Sequence, residues 1–130
     1  MLRAVVDTNV WVSAFLNPRG HPALVLGAFR NGRFVPILSR RLVEELIDVL
    51  SRPRLVKKYR LDPEEVAEYV ALIVEKSEVV SAPDSLRLCR DPRDDVVLET
   101  AIVGRATFLV SRDDDVKETK SSSRRWSAGE

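Results

Sequence analysis

Short apolar runs alternate with helical patterns along the first 110 residues, and this alternation most constrains what the chain can fold into. Residues 2–6 and 34–38 are nearly continuous apolar runs, too short for helices and typical of strands buried on both faces. Weaker runs at 78–81 and 107–110 follow the same pattern, and helical segments separate all four runs. The sequence therefore predicts an α/β fold with a parallel sheet.

The composition is that of a globular protein and limits the kinds of site the chain can build. The 130 residues include 45% hydrophobic residues, enough for one domain with a core. The net charge is +1, so any surface that binds anions must be local. A single cysteine excludes an internal disulfide and a multi-cysteine metal site. No apolar run reaches the length of a transmembrane helix, so we expect a cytoplasmic protein without a membrane partner.

The last part of the chain differs from the rest. Residues 117–130, KETKSSSRRWSAGE, are polar, rich in serine and without periodicity. Such a segment cannot bury enough apolar surface to offset the entropy lost on ordering. We expect a folded domain over residues 1–116 and a disordered tail over residues 117–130.

Two acids follow closely after predicted strands. Asp7 ends the first apolar run, and Asp113 follows the fourth run in a similar position. In an open parallel sheet, ligands bind outside the carboxyl ends of the strands. If the two strands are neighbours, Asp7 and Asp113 lie near each other at that edge, and the sequence predicts a site there.

Two predicted helices add further acids. In the helix that begins at Ser39, the helical phase places Glu45 at the border of the apolar face and Glu44 farther out. In the helix that follows Asp91, Asp94 lies near the middle of the predicted buried face and Asp95 about 90° away. The predicted buried face of that second helix consists of Val97, Leu98, Ala101 and Ile102.

Asp94 also has a purely structural interpretation. Asp91 as the cap, Pro92 at the first helical position and an acid two residues later make an ordinary helix start that needs no function. Taken alone, this interpretation is about as good as a functional one.

Together, four carboxylates would form a pocket that binds a cation. They are Asp7, Glu45, Asp94 and Asp113. Four negative charges in one pocket repel each other unless cations are present. Oxygen ligands without histidine or cysteine suit Mg²⁺ or Mn²⁺ rather than zinc. Carboxylates that hold such ions typically serve phosphoryl chemistry.

Four segments, in order, resemble the PIN-domain family, most closely its prokaryotic toxin components of toxin–antitoxin modules. The segments are VVDTNVWVS, SRRLVEELIDVL, CRDPRDDVVLETA and ATFLVSRDDD. The resemblance covers about residues 1–116. It implies a three-layer α/β/α fold with a central parallel sheet of four strands here. It also implies an Mg²⁺- or Mn²⁺-dependent endoribonuclease that leaves a 5′-phosphate and a 3′-hydroxyl, and an antitoxin protein as partner.

The resemblance also assigns roles to single residues. It implies that Asp7, Asp94 and Asp113 bind metal and that Glu45 binds metal or orients water. Asn9 and Ser111 fill the supporting polar positions of the family, and Asp115 is a possible extra acid.

The end of the chain departs from the family pattern. PIN domains normally continue after the fourth strand with a helix and a fifth edge strand, whereas no apolar strand follows Val116. We therefore expect the fourth strand at a sheet edge, where an apolar strand invites pairing with another chain. A homodimer or higher oligomer is the expected result.

A basic segment carries a candidate surface for RNA. Residues 52–60 contain no acid but one tyrosine, Tyr59, and five cations, which are Arg52, Arg54, Lys57, Lys58 and Arg60. The cations could bind phosphates while the ring stacks on a base. A solvated helix end is the plainer interpretation, and we favour it slightly.

Two other functions stay open at this point. A degenerate PIN fold could bind RNA or a protein without cutting. An aspartyl phosphatase could use Asp7 as its nucleophile, although that chemistry usually needs a second acid where Asn9 stands.

Overall fold

The computed structural model describes residues 2–83, 87 and 92–111, which form four strands and six helices. The strands are β1 (Leu2–Val6), β2 (Phe34–Ser39), β3 (Glu78–Val80) and β4 (Phe108–Val110). The helices are α1 (Thr8–Leu16), α2 (Pro22–Arg30), α3 (Arg40–Leu50), α4 (Pro53–Tyr59), α5 (Pro63–Lys76) and α6 (Pro92–Val103). The predicted cap Asp91, the predicted site residues Asp113 and Asp115, and residues 117–130 lie outside the described residues.

All the strands pair in parallel, in the order β3-β2-β1-β4. Ala4 in β1 pairs with Pro36 of β2 on one side and with Phe108 of β4 on the other. The predicted α/β fold with a four-stranded parallel sheet is confirmed. Within the described part of the chain, β4 is an edge strand.

The central strand is buried because helices cover both faces of the sheet. Val5 and Val6 are almost fully buried and point to opposite faces, as successive residues of a strand do. Val6 packs into a core built with residues of α1, α2, α3 and α5. Val5 packs with Ile37 into a second core, to which α6 contributes. The sequence of β1 is continuously apolar because the strand contributes to both cores.

Helix α6 packs closely against β2 and runs opposite to it. The hydroxyl of Thr100 is hydrogen-bonded to that of Ser39, the last residue of β2, at 2.8 Å. One turn later, Gly104 lies so close to Ile37, two residues earlier in β2, that an added Cβ would overlap the Ile37 side chain. Since the two contacts progress in opposite directions along the chain, the first turn of α6 lies at the carboxyl edge of the sheet.

Arg3 ties three elements together at the other end of the sheet. Its guanidinium donates to the Gly104 carbonyl at 2.6 and 3.2 Å and contacts the Glu78 carboxylate at 2.5 Å. The hydrogen bond from Arg3 lowers the pKa of Glu78 below its ordinary value. These contacts link β1 to β3 and to the turn between α6 and β4.

Helix α4 is a separate element that the sequence pattern did not predict. It starts at Pro53, which supplies the fixed φ of a first helical position, and ends at Arg60 in the left-handed region at φ 51°. Leu55 and Val56 are half-buried, whereas the cations of the segment are exposed. None of the described helices is long and apolar enough to cross a membrane.

Candidate active site

Asp7 lies directly after the central strand and begins helix α1. Its carboxylate accepts a hydrogen bond from the backbone N–H of Asn9 at 3.3 Å and so caps the helix. The backbone N–H of Asp7 donates to the Val110 carbonyl at 2.8 Å, which extends the β1–β4 pairing by one residue. The side chain is half-buried at the carboxyl edge of the sheet. This is the position that the sequence analysis assigned to it.

Ser111 holds the second oxygen of the same carboxylate. Its hydroxyl donates to Asp7 Oδ2 at 3.3 Å, while Asn9 N–H reaches Oδ1. Two carboxylate oxygens offer about four acceptor sites, so one bond to each leaves room for a cation. The predicted supporting residues therefore both contact Asp7, Asn9 through its backbone and Ser111 through its side chain.

The predicted phase of α6 is right only in part: Val97 and Ala101 are buried as predicted, but Asp94 and Ile102 are not. Asp95 is 4% exposed, whereas Asp94 is exposed and Ile102, predicted to be buried, is 50% exposed. The buried face also includes Val96, Glu99 and Thr100, which the prediction left out. The prediction failed because it used only apolar residues. Thr100 is polar but fully buried, and its burial is possible because its hydroxyl bonds Ser39 and the Val96 carbonyl.

Asp95 therefore replaces Asp94 as the acid that α6 presents to the interior. It lies five residues before Thr100, about 7.5 Å along the helix axis toward the carboxyl edge of the sheet. Asp7 also lies at that edge. A buried carboxylate is costly unless it is hydrogen-bonded or paired, so its position is informative.

The sequence analysis also missed Glu99, a second buried acid of α6. Glu99 is 7% exposed and lies one turn after Asp95 on the same side of the helix. Two carboxylates at this spacing repel when both are ionised. The four-residue spacing of the two acids was visible in the sequence, but the predicted helical phase did not place either acid on the buried face.

Glu45 lies in α3, the helix that contacts both α1 and α6. Its side chain is half-buried, and that of Glu44 is exposed and pairs with Arg40 at 3.6 Å. The predicted difference between these two glutamates is confirmed, with Glu45 at the border of the core.

The donors at this edge suit a hard divalent cation, but the described residues alone do not complete a site. Within residues 2–83, 87 and 92–111, no three histidine, cysteine, aspartate or glutamate side chains are grouped closely enough to hold a metal ion. The donors present are carboxylate oxygens, the ligand type of Mg²⁺ and Mn²⁺. Asp113 and Asp115, the other predicted donors, lie outside the described residues.

A large cleft opens beside Asp7. Its volume is about 1030 Å³, and both Asn9 and Ser111, the two hydrogen-bond partners of Asp7, line it. Helix α4 lines the same cleft through Leu55 and Tyr59. The cleft therefore connects the carboxylate to the basic segment, which the sequence analysis treated as a separate feature.

The five cations of the basic segment are all exposed. They are Arg52, Arg54, Lys57, Lys58 and Arg60. Arg52 pairs with Asp48 at 3.3 Å, and the Lys58 ammonium lies 5.3 Å from the centre of the Tyr59 ring. Exposure fits both interpretations of the segment, phosphate binding and a solvated helix.

The comparisons with known proteins agree with the fold. A PIN domain model matches residues 3–115, which include all the described elements except the first residue of β1. An uncharacterised protein of Methanocaldococcus jannaschii is 24% identical over 113 residues, 87% of this chain and 72% of that protein. The chain belongs to the PIN domain family, whose members are generally nucleases and typically use divalent metal ions.

Proposed function

We propose that this protein is an Mg²⁺- or Mn²⁺-dependent endoribonuclease that hydrolyses RNA phosphodiester bonds, and that it is the toxin of a toxin–antitoxin pair. The observation that carries the proposal is the position of Asp7. Its carboxylate lies at the carboxyl end of the central strand, is oriented by Asn9 and Ser111, and adjoins a cleft lined in part by a basic helix. Membership of a nuclease family supports the same conclusion.

Each acid has a role in this proposal. Asp7, Asp113 and one acid in the first turn of α6 are the metal ligands, and Glu45 is a further ligand or orients the attacking water. The resemblance implies Asp94 for the α6 position, whereas burial favours Asp95. Ser111 and the backbone of Asn9 fix the orientation of the Asp7 carboxylate.

When bound, a divalent ion supplies charge that activates water and stabilises the leaving oxygen of the phosphodiester. The protein's own contribution is to hold the acids at one edge of a rigid sheet and to position the RNA backbone beside them. The carboxylates also repel each other in the fold, so cation binding stabilises the folded state.

The substitution Asp7→Asn tests the proposal, since asparagine caps a helix as well as aspartate does. The variant should therefore keep the thermal stability of the metal-free protein but lose cleavage of a fluorescent single-stranded RNA in millimolar Mn²⁺. The wild type should bind Mn²⁺ in calorimetric titration and melt at a higher temperature with it, and Asp7→Asn should lose most of both effects. A wild type that binds no Mn²⁺ and cuts no RNA would contradict the proposal.

Two controls separate the alternatives. Hydrolysis of p-nitrophenyl phosphate without cleavage of RNA would indicate an aspartyl phosphatase. RNA binding without cleavage would indicate a degenerate PIN domain that acts as a binding module. Asn9 stands where an aspartyl phosphatase usually has its second acid, so the phosphatase is the weaker of the two alternatives.

A further inference from the structure

The cleft beside Asp7 has two chemically different walls, and both suit one kind of ligand. Helix α1, α2 and the turn between them contribute apolar side chains together with the amide of Asn17 and the imidazole of His21. Helix α4 contributes Leu55 and Tyr59. A flat aromatic molecule with polar edges would use both walls, with its faces against apolar groups and its edges near the amide and the imidazole.

Tyr59 is placed to act as a stacking surface. The ring is 41% exposed, yet it lines the cleft one turn after Leu55 on the same face of α4. The Lys58 ammonium, 5.3 Å from the ring centre, adds positive charge next to it. Stacking on an aromatic ring beside a cation is the usual way in which proteins hold unpaired bases without reading their sequence.

The rim of α4 supplies charge for the backbone of the same ligand. Arg54, Lys57 and Lys58 lie at spacings of three and four residues and are all exposed. The chain as a whole has a net charge of only +1, so this local group of cations is the feature that would attract a polyanion.

We infer that the cleft binds unpaired bases of a single-stranded RNA next to the phosphodiester held at Asp7, with Tyr59 as the stacking residue and α4 holding the adjoining phosphates. The inference rests on the proposed function, because it places the scissile bond at Asp7. The cleft has a volume of about 1030 Å³, at the upper end of the range for sites that bind drug-sized ligands, so it has room for more than one base. Double-stranded RNA, whose bases are paired and stacked, cannot use this contact.

Fluorescence anisotropy with an inactive protein tests the inference directly. The probe is a fluorescein-labelled single-stranded RNA dodecamer in Mg²⁺, and the protein carries Asp7→Asn so that the probe stays intact. In this background, Tyr59→Ala should weaken binding by about 5- to 150-fold, the range that corresponds to one lost stacking contact. Tyr59→Phe, which keeps the ring, should bind within about two-fold of the parent. Leu24→Ala removes another exposed apolar side chain, one that is 70% exposed and outside the cleft, and should change nothing.

A probe that lacks some of its bases separates base binding from phosphate binding. A dodecamer with three abasic positions should bind the parent more weakly, and Tyr59→Ala should then cost little more, because the stacking partner is already missing. The inference would be overturned if the Tyr59→Ala protein bound the intact probe as tightly as the parent protein, which carries Asp7→Asn alone.

Cleavage by the protein with Asp7 intact is measured in parallel. Normal cleavage together with unchanged binding by Tyr59→Ala overturns this inference and leaves the proposed nuclease standing. If RNA is neither cut nor bound, both are overturned.

Discussion

Asp7 combines a structural task, which the structure shows, with the chemical task that we propose for it. The carboxylate caps α1 through Asn9 and also faces Ser111 at the edge of the sheet. The positive end of the helix dipole favours a negative charge at this position. A cap alone would be satisfied by serine, threonine or asparagine, so only a change that keeps the cap and removes the charge isolates the chemistry.

The two neighbouring acids of α6 should differ sharply when they are changed. Asp95→Asn should reduce RNA cleavage and Mn²⁺ affinity by at least an order of magnitude, because Asp95 is the buried acid at the carboxyl edge of the sheet. Asp94→Asn should have a much smaller effect, because that side chain is exposed. Both variants are compared by cleavage rate and by calorimetric titration. A greater loss for Asp94→Asn would restore the assignment that the family resemblance implies.

Because Tyr69 is buried, we expect the protein to lose stability at alkaline pH. Burial raises its pKa well above the ordinary value, and its hydroxyl donates to the Trp11 carbonyl at 2.7 Å. The unfolded chain releases this proton near pH 10 while the folded protein keeps it, so the unfolded state binds fewer protons and stability falls as pH rises.

The free energy of unfolding should therefore drop above pH 10, with Tyr69 contributing up to about 1.4 kcal/mol per pH unit. Urea denaturation between pH 8 and 11 measures the slope. Tyr69→Phe should be less stable at pH 8 by about 1 kcal/mol and should lose less stability as pH rises. Tyr59→Phe, at an exposed tyrosine, is the control and should match the wild type. Equal slopes for wild type and Tyr69→Phe would contradict the prediction.

Helix α6 shows at the scale of one element why packing against the sheet decides the helical phase. Its close approach to β2 depends on Gly104, which has no side chain to separate the helix from Ile37. The same approach brings Thr100 and Ser39 into hydrogen-bonding distance. The polar contact and the missing side chain together fix which face of α6 is buried.

Gly104→Ala should destabilise the protein by about 1 to 3 kcal/mol, because the added methyl group overlaps Ile37 and lies 3.0 Å from the Thr100 carbonyl. Gly27→Ala is the matched control. Gly27 lies inside α2 with no atom within 4 Å of an added Cβ, so alanine there should stabilise by about 0.5 to 1 kcal/mol. Thermal unfolding of the two variants measures both effects. A neutral Gly104→Ala would show that α6 can move away from β2 without cost.

The sequence predicted those elements whose signals are local. The apolar run of β1 and the Asp62-Pro63 start of α5 both appear where expected, with the Asp62 side chain capping the helix. The phase of α6 could not be predicted from apolar periodicity, since the face is fixed by a buried Thr100 and by the approach of Gly104. Helix α4 was missed because its seven residues bury no side chain fully and leave only a weak periodic pattern.

The site was predicted to the same extent and for the same reasons. The positions of Asp7 and Glu45 agree with the prediction, because Asp7 follows a strand directly and α3 has a clear apolar face; their roles stay predictions. The burial of Asp95 was not predicted, because the predicted phase placed Asp94 on the buried face instead. The cleft between α1 and α4 was not predictable, because it joins segments about 50 residues apart that share no local pattern.

At the scale of the whole molecule, the sheet has an apolar edge at β4. Phe108 is 38% exposed there, and within the described residues β4 pairs only with β1. An unpaired apolar edge offers backbone donors and acceptors to a second chain. This is the surface through which we expect the protein to form a homodimer or a higher oligomer.

Phe108→Lys should weaken self-association, because a charged residue on an edge strand opposes pairing with another strand. Sedimentation velocity over a range of protein concentrations should show association for the wild type and monomer for the variant. Val79→Lys places the same charge on β3, the other edge, at a side chain that is 50% exposed, and should leave association unchanged. A monomeric wild type, or association that persists in Phe108→Lys, would contradict the prediction.

The pairing of β1 with β4 also sets an order of events during synthesis on the ribosome. Ala4 pairs with Phe108, so the central strand waits for a partner made 104 residues later. At 5 to 20 residues per second, that delay is roughly 5 to 20 s. Throughout this interval Asp7 lacks both the Val110 carbonyl that fixes its backbone and the Ser111 hydroxyl that orients its carboxylate. Under the proposed function, a growing chain therefore carries an incomplete site, and the ribosome making it meets no finished nuclease until almost the whole domain has been synthesised.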